Sequence, residues 1–162
     1  MYELIQSVEG LINGYDLDIN KLEFINVCYG GDHGQSKFRF ATKVVLKMKD
    51  GSYYDDVFGL ADVDCRKDHA IIVDNTCMPE MIRGINVIEE STFVFCSDST
   101  ADGKIFSIDL VKTPAEDEAP IHGKTLKPLS HLAGDLALLA VMMGKDNFSS
   151  TWCCWCGLTK AA

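Results

Sequence analysis

Residues 22–34 read Leu-Glu-Phe-Ile-Asn-Val-Cys-Tyr-Gly-Gly-Asp-His-Gly, and this stretch decides the fold class that the sequence predicts. Its first eight residues are rich in aromatic and β-branched side chains and predict a β-strand that ends at Gly30 and Gly31. Two further strands follow, and the turn signal Lys-Asp-Gly-Ser at 49–52 predicts a hairpin between them. These two strands are predicted over residues 38–48 and 53–60. Three strands joined by short turns indicate an antiparallel meander.

The rest of the chain predicts a mixture of helices and strands. Apolar side chains at helical spacing predict an N-terminal helix over 1–12, and Pro79 opens a short amphipathic helix over 79–88. The acidic, proline-containing segment 113–128 predicts an exposed loop. The remaining predicted elements are a helix over 136–143 and strands over 70–73, 92–96 and 104–111. This order of elements predicts an α+β or α/β fold.

The composition of the 162-residue chain is typical of a globular intracellular protein. Its hydrophobic content of 47% argues against disorder. No apolar run reaches the roughly 18 residues of a membrane helix, and the N-terminus lacks the features of a signal peptide. Seven cysteines, an odd number, fit free thiols in a reducing compartment. We therefore expect a nuclear or cytoplasmic protein that is neither secreted nor bound to a membrane.

The net charge of −9 bears on which partners the protein can bind. It disfavours simple electrostatic attachment to nucleic acid, which needs clustered lysine and arginine. It does not exclude nuclease chemistry, because metal-binding nuclease sites are themselves acidic.

Two aspartates stand where a carboxylate could hold a divalent cation. Asp32 follows the first predicted strand among glycines, which let another group approach the backbone closely. Asp135 opens the helix predicted over 136–143, where free N–H groups and the helix dipole favour negative charge. Each also has an ordinary structural explanation, as a turn residue for Asp32 and a helix cap for Asp135. Our interpretation makes both aspartates ligands of one metal site.

Cys153 and Cys156 form a Cys-x-x-Cys pair that can supply two ligands of a tetrahedral Zn²⁺ ion. A redox dithiol usually opens a helix in a thioredoxin-like unit, whereas this pair follows a predicted helix, so we favour metal binding. His122 and His131 could complete the site, but we favour missing zinc ligands that lie beyond Ala162.

With these residues in place, the chain resembles the catalytic core of eukaryotic cut-and-paste DNA transposases of the RNase H-like, DDE type. The resemblance covers residues 22–156. It rests on the Gly-Gly-Asp-His-Gly stretch, the later Gly-Asp-Leu segment with its apolar helix, and the Cys-x-x-Cys pair. The catalytic core of the recombination-activating recombinase of immune-gene rearrangement is a more distant likeness with a similar order of motifs.

The resemblance implies an RNase H-like mixed sheet that begins with the antiparallel meander, is flanked by helices and is incomplete at the C-terminus. It makes Asp32 and Asp135 the first and second catalytic carboxylates. These would hold two Mg²⁺ or Mn²⁺ ions for phosphodiester hydrolysis and strand transfer. It also makes Cys153 and Cys156 the first half of a structural Zn²⁺ site.

The resemblance further implies a domain organisation and a partner. The implied segments are an N-terminal helix and linker over 1–20, a partial RNase H-like core over 21–145 and the start of a zinc knuckle over 146–162. The implied partner is DNA at transposon ends in the nucleus, with homodimer formation as a further expectation. The family's third acid and distal zinc ligands have no counterpart before Ala162. We therefore expect a fragment or truncated copy with little or no nuclease activity by itself.

The same residues leave two other interpretations open. One is a domesticated, non-catalytic module, stabilised by zinc, that binds a protein or DNA. The other is an unrelated enzyme or globular domain in which Asp32 and Asp135 are both structural.

The zinc interpretation predicts a difference between neighbouring cysteines. Cys153→Ser is expected to lower the zinc content of the purified protein, because a tetrahedral site loses one of its thiolate ligands. Cys154→Ser, which leaves the Cys-x-x-Cys spacing intact, is the matched control and is expected to retain zinc. Metal analysis of the three purified proteins makes the comparison, and an equal zinc content in wild type and Cys153→Ser would reject the knuckle.

Overall fold

The computed structural model describes residues 2–34, 36–64, 78–98, 105–114 and 123–133 of the chain. Helices α1 and α2 span Tyr2–Gly14 and Met78–Glu89, and a short 3-10 helix spans Ile19–Lys21. The strands in these ranges are β1 Leu22–Gly34, β2 Lys37–Met48, β3 Tyr53–Asp64, β4 Ser91–Asp98, β5 Ile105–Lys112, β6 Lys124–Leu126 and β7 Leu129–Ala133.

These strands form two sheets, with the orders β3-β2-β1-β7 and β5-β4-β6. In the first sheet, two residues link β1 to β2 and four link β2 to β3. Such short links require antiparallel pairing, because a parallel crossover needs about a dozen residues or more. In the second sheet, β5 and β6 are both antiparallel to β4, with Phe93 opposite Leu110 on one side and Leu126 on the other. The predicted meander and the mixed helix-and-strand class are confirmed.

The chain divides into two compact units. The first comprises Met1–Cys28, Lys43–Phe58 and Gly84–His131, and the second comprises Tyr29–Thr42, Gly59–Arg83 and Leu132–Ala162. Along the chain, β1 and β7 both run from the first unit into the second, whereas β2 runs from the second into the first. β7 is therefore parallel to its neighbour β1, and the four-stranded sheet is mixed.

In the first unit, α1 packs against β3. Ser7 on α1 donates a 2.8 Å hydrogen bond to Asp56 on β3, and the ring centroids of Tyr15 and Tyr54 lie 4.9 Å apart. The helix has one inward side because its buried residues recur every three or four positions. The residues buried on that side are Leu4, Ser7, Val8, Leu11 and Ile12.

Lys124 links β6 to the short 3-10 helix and to the first residue of β1. Its Nζ donates hydrogen bonds to the carbonyl oxygens of Ile19 and Leu22, the latter at 2.8 Å. Burial lowers the pKa of Lys124, and the charge of Lys49 acts in the same direction. The half-buried ammonium is tolerated here because two backbone carbonyls accept hydrogen bonds from it.

The prediction of an exposed loop over 113–128 was wrong in its last part. Residues Lys124–Leu126 form β6, and Pro128 is buried. β7 follows directly and was not predicted. Both strands are short, with three and five residues, and their backbones pair with β4 and β1. Local composition could not indicate this pairing, because the partner strands lie far away in the sequence.

In the second unit, aromatic side chains of β1 and β2 form the core. Phe38 and Phe40 are 1% and 2% exposed, and their rings meet edge to face with centroids 4.6 Å apart. Tyr29 on β1 is also buried. The alternation of these buried residues with exposed ones gives β2 one packed side and one accessible side.

The predicted end of the first strand at Gly30 was wrong, because β1 continues to Gly34. The glycines stay in the strand since neighbouring backbone occupies the space of their missing side chains. A Cβ placed on Gly30 or Gly31 would lie 2.7 Å from a carbonyl oxygen of Ala133 or Arg39, respectively.

The other predicted elements within the described ranges are confirmed with small shifts of their ends. They are α1, α2, β2, β3, β4 and β5. The strand predicted over 70–73 and the helix predicted over 136–143 lie outside these ranges. Neither α1 nor α2 is long and apolar enough to cross a membrane.

The hairpin between β2 and β3 depends on Asp50, which generates a pH-dependent prediction. The Ser52 hydroxyl and backbone N–H donate to Asp50 Oδ1 at 2.6 and 2.9 Å. These bonds lower the pKa of Asp50 below its ordinary value of 3.8. The contribution to stability is therefore present above pH 3.8 and is lost as pH falls through the lower folded-state pKa.

Asp50→Ala is expected to reduce the free energy of unfolding near neutral pH and to converge with wild type at acidic pH. Urea denaturation at several pH values measures this difference. Asp109→Ala, which removes an exposed carboxylate from β5, is the control and is expected to show no such convergence. A pH-independent loss in Asp50→Ala would contradict the assignment.

Candidate functional site

The structure describes one of the four predicted metal ligands, Asp32, which lies on β1. His131, considered as a zinc ligand, is exposed on β7. The predicted ligands outside the described residues are Asp135, Cys153, Cys156 and His122. The shared aspartate site and the zinc knuckle therefore stay predictions.

Asp32 faces the accessible side of the four-stranded sheet. A Cβ placed on the preceding residue, Gly31, would lie 3.0 Å from the ring of buried Phe38. Successive residues of a strand face opposite sides, so Asp32 faces away from that core. Lys37 and Arg39, which flank Phe38 on β2, face the same way as Asp32. We call this side of β1, β2 and β3 the open face.

The carboxylate of Asp32 is exposed and, within the described part of the chain, makes no hydrogen bond or ion pair. Carboxylate oxygens are the ligands that hard divalent cations prefer. One carboxylate does not make a site by itself. No group of three or more His, Cys, Asp or Glu side chains among the described residues is arranged to hold a metal ion. A metal site at Asp32 thus needs ligands from another part of the chain.

β7 contacts β1 two residues before Asp32. A Cβ placed on Gly30 would lie 2.7 Å from the carbonyl oxygen of Ala133 and 3.9 Å from its Cβ. Real Cβ atoms do not come that close to an oxygen, so this contact requires glycine on β1. The last residue of β7 is therefore held against β1 next to the position of Asp32.

A second group of charged residues on the open face was not predicted from the sequence. Lys37 Nζ lies 3.6 Å from Asp62 and 3.7 Å from Asp64, and Arg39 Nε lies 3.3 Å from Asp62. The alternation of basic and aromatic residues over 37–40 could have indicated which side the basic residues face. Their acidic partners could not have been found, because β3 was predicted to end before them.

No protein-family model, curated protein or solved structure gives a significant match to the chain. A functional assignment therefore depends on the sequence motifs and on the geometry around Asp32.

The contact between β1 and β7 predicts that position 30 does not tolerate a side chain. Gly30→Val is expected to destabilise the protein by about 1–3 kcal/mol, because the added carbon atoms force the two strands apart. Gly59→Val is the matched control, since Gly59 is also in a strand and a Cβ there meets nothing within 4 Å. Valine favours strands, so the control is expected to be neutral or slightly stabilising.

Chemical denaturation of the two variants and wild type gives the comparison. Equal unfolding free energies for Gly30→Val and Gly59→Val would contradict the packing of Ala133 against Gly30.

Proposed function

We propose that this chain is part of the catalytic core of a metal-dependent DNA transposase or recombinase with an RNase H-like sheet. In this proposal, Asp32 and Asp135 hold divalent ions together. The observation that carries it is the contact of Gly30 with Ala133, because each of these residues precedes one of the two aspartates by two positions.

The geometry of parallel strands supports the pairing of the two aspartates. Neighbouring strands lie about 4.8 Å apart, and consecutive Cα atoms lie about 3.8 Å apart. Two steps along β1 from Gly30 lead to Asp32, and two steps along the sequence from Ala133 lead to Asp135. The proposal requires the chain to continue beyond Ala133 in the direction of β7, which would bring Asp135 beside Asp32, although about a hundred residues separate them in sequence.

The sheet order gives independent support for the RNase H-like interpretation. A three-stranded antiparallel meander opens the four-stranded sheet, and its first strand, β1, is flanked by β2 and by the later parallel strand β7. The resemblance implied a mixed sheet that begins with such a meander. In the order β3-β2-β1-β7, the strand that carries Asp32 is internal.

The residues fit oxygen-preferring divalent ions. Asp32 offers an exposed carboxylate from a strand that is paired on both sides, which limits how far the ligand can move. Asp135 would supply the second carboxylate. The ions, when bound, would supply charge stabilisation at the phosphate and activate water or a 3′-hydroxyl for attack. The protein would then need no side-chain nucleophile.

A second candidate function is a non-catalytic module, stabilised by zinc at Cys153 and Cys156, that binds a partner. The net charge of −9 favours a protein over DNA as that partner. This function and the first differ in whether Asp32 responds to divalent ions.

The metal site predicts ion-dependent stabilisation. Mg²⁺ or Mn²⁺ is expected to raise the melting temperature of wild type, by an amount that corresponds to about 1.4 kcal/mol at roughly ten times the dissociation constant. Asp32→Asn and Asp135→Asn are each expected to lose this gain, because each removes a ligand charge. The double variant should lose no more than either single variant.

Asp109→Asn is the matched control, because Asp109 is another exposed strand carboxylate and is far from this site in sequence. It is expected to keep the full gain in melting temperature. An equal response to the ions in wild type, Asp32→Asn and Asp109→Asn, measured by thermal denaturation, would refute the proposed site.

A further inference from the structure

We propose that Lys37 and Arg39 bind phosphates of a DNA backbone and so position a duplex beside Asp32. This inference rests on the proposed function and adds a substrate-positioning site to it. Lys37 and Arg39 would be positioning residues, and DNA phosphates would replace Asp62 and Asp64 as their partners.

The first argument is the looseness of the ion pairs that Lys37 and Arg39 make. Their distances to Asp62 and Asp64 are 3.3–3.7 Å, whereas charge-assisted hydrogen bonds are about 2.7–2.9 Å. The other two lysines on the accessible side of β2 are held more closely. Lys43 lies 2.9 Å from Asp55, and Lys47 lies 3.0 Å from Glu23.

The second argument is that these loose pairs are easily exchanged. The side chain of Asp62 is 52% exposed and that of Asp64 is 88% exposed. Exposed ion pairs of this kind contribute about 0–1 kcal/mol each to the free energy of unfolding, because water and salt screen the charges. A phosphate that approaches the open face can therefore replace the carboxylates at little cost. Arginine and lysine are the usual donors to DNA phosphates.

The third argument is position. Lys37 and Arg39 share the open face with Asp32, and the backbone of Arg39 lies against Gly31, the residue next to Asp32. Neighbouring strands are about 4.8 Å apart, so phosphates held on β2 would lie beside the carboxylate on β1. A duplex bound there would present its backbone to the proposed metal ligands.

The fourth argument explains how an acidic protein would bind DNA at this place. Asp32, Asp62 and Asp64 outnumber Lys37 and Arg39 by one charge. One divalent ion at Asp32 reverses the sign of this group from negative to positive. DNA attachment at the open face is therefore expected to strengthen when the ion binds.

Fluorescence anisotropy with a labelled duplex oligonucleotide in Mg²⁺, at several salt concentrations, tests the proposal. Log K for binding falls linearly with the logarithm of the salt concentration, and each phosphate contact contributes about −0.9 to the slope. The double variant Lys37→Gln/Arg39→Gln loses two contacts and is therefore expected to have a slope that is shallower by about 1.8. The matched control is Lys43→Gln/Lys47→Gln, which removes two cations from the same strand and should leave the slope unchanged. Lys37→Arg, which keeps the charge, should also retain the wild-type slope.

Absence of binding by wild type would overturn the proposal, as would equal slopes for wild type and Lys37→Gln/Arg39→Gln. An equal loss in the control pair would also overturn it, because the contacts would then not be specific to these two residues. Melting temperatures of both double variants verify that they fold.

Asp32→Asn separates this inference from the proposed function. If Asp32→Asn leaves the Mg²⁺ response of DNA binding intact, the proposed metal site fails. The slope difference caused by Lys37→Gln/Arg39→Gln in the Asp32→Asn background still decides whether the two cations bind phosphate.

Discussion

A side chain at position 30 would collide with the carbonyl oxygen of Ala133, and this constraint organises the four-stranded sheet around β1. Because Gly30 has no side chain, β7 can lie directly against β1 at the end where Asp32 is found. β1 is then paired on both sides, with β2 from the hairpin and with β7 from a segment a hundred residues later. The position of Asp32 is therefore set by two different parts of the chain.

Along β2, the side chains that form the core alternate with the charged side chains of the open face. Phe38 and Phe40 are buried and pack edge to face, while Lys37 and Arg39, which alternate with them along the strand, stay accessible. The same alternation continues on β1. The ring of Phe38 lies where a side chain of Gly31 would be, and the next residue, Asp32, faces the other side of the sheet. The charged residues of the open face can thus exchange partners without disturbing the aromatic core.

The charges on the open face also bear on how an acidic protein could bind DNA, as the proposed function requires. A chain with a net charge of −9 repels DNA as a whole, and the excess of carboxylates near Asp32 repels it locally. A divalent ion changes the local sign without changing any residue. The same acidity that opposes binding of DNA to the free protein is what would attract the ion, so the two properties belong to one mechanism.

Elements with local signals were predictable from the sequence. Strong β-propensity and the turn Lys-Asp-Gly-Ser determined the meander, and the short amphipathic pattern after Pro79 determined α2. Local alternation also determines that Lys37 and Arg39 lie on one side of a strand and Phe38 on the other. These features require only neighbouring residues, because hairpin pairing and helical faces depend on chain positions a few residues apart.

Tertiary structure alone decided the features that join distant segments. The continuation of β1 through Gly30 and Gly31 contradicts the usual preference of glycine, and it occurs because the backbones of Ala133 and Arg39 fill the vacant space. The short strands β6 and β7 form because β4 and β1 offer them hydrogen-bonding partners. The sequence by itself therefore determined Asp32 as a candidate ligand. Only the folded sheet decided which strand lies beside it, because that contact joins backbones separated by about a hundred residues.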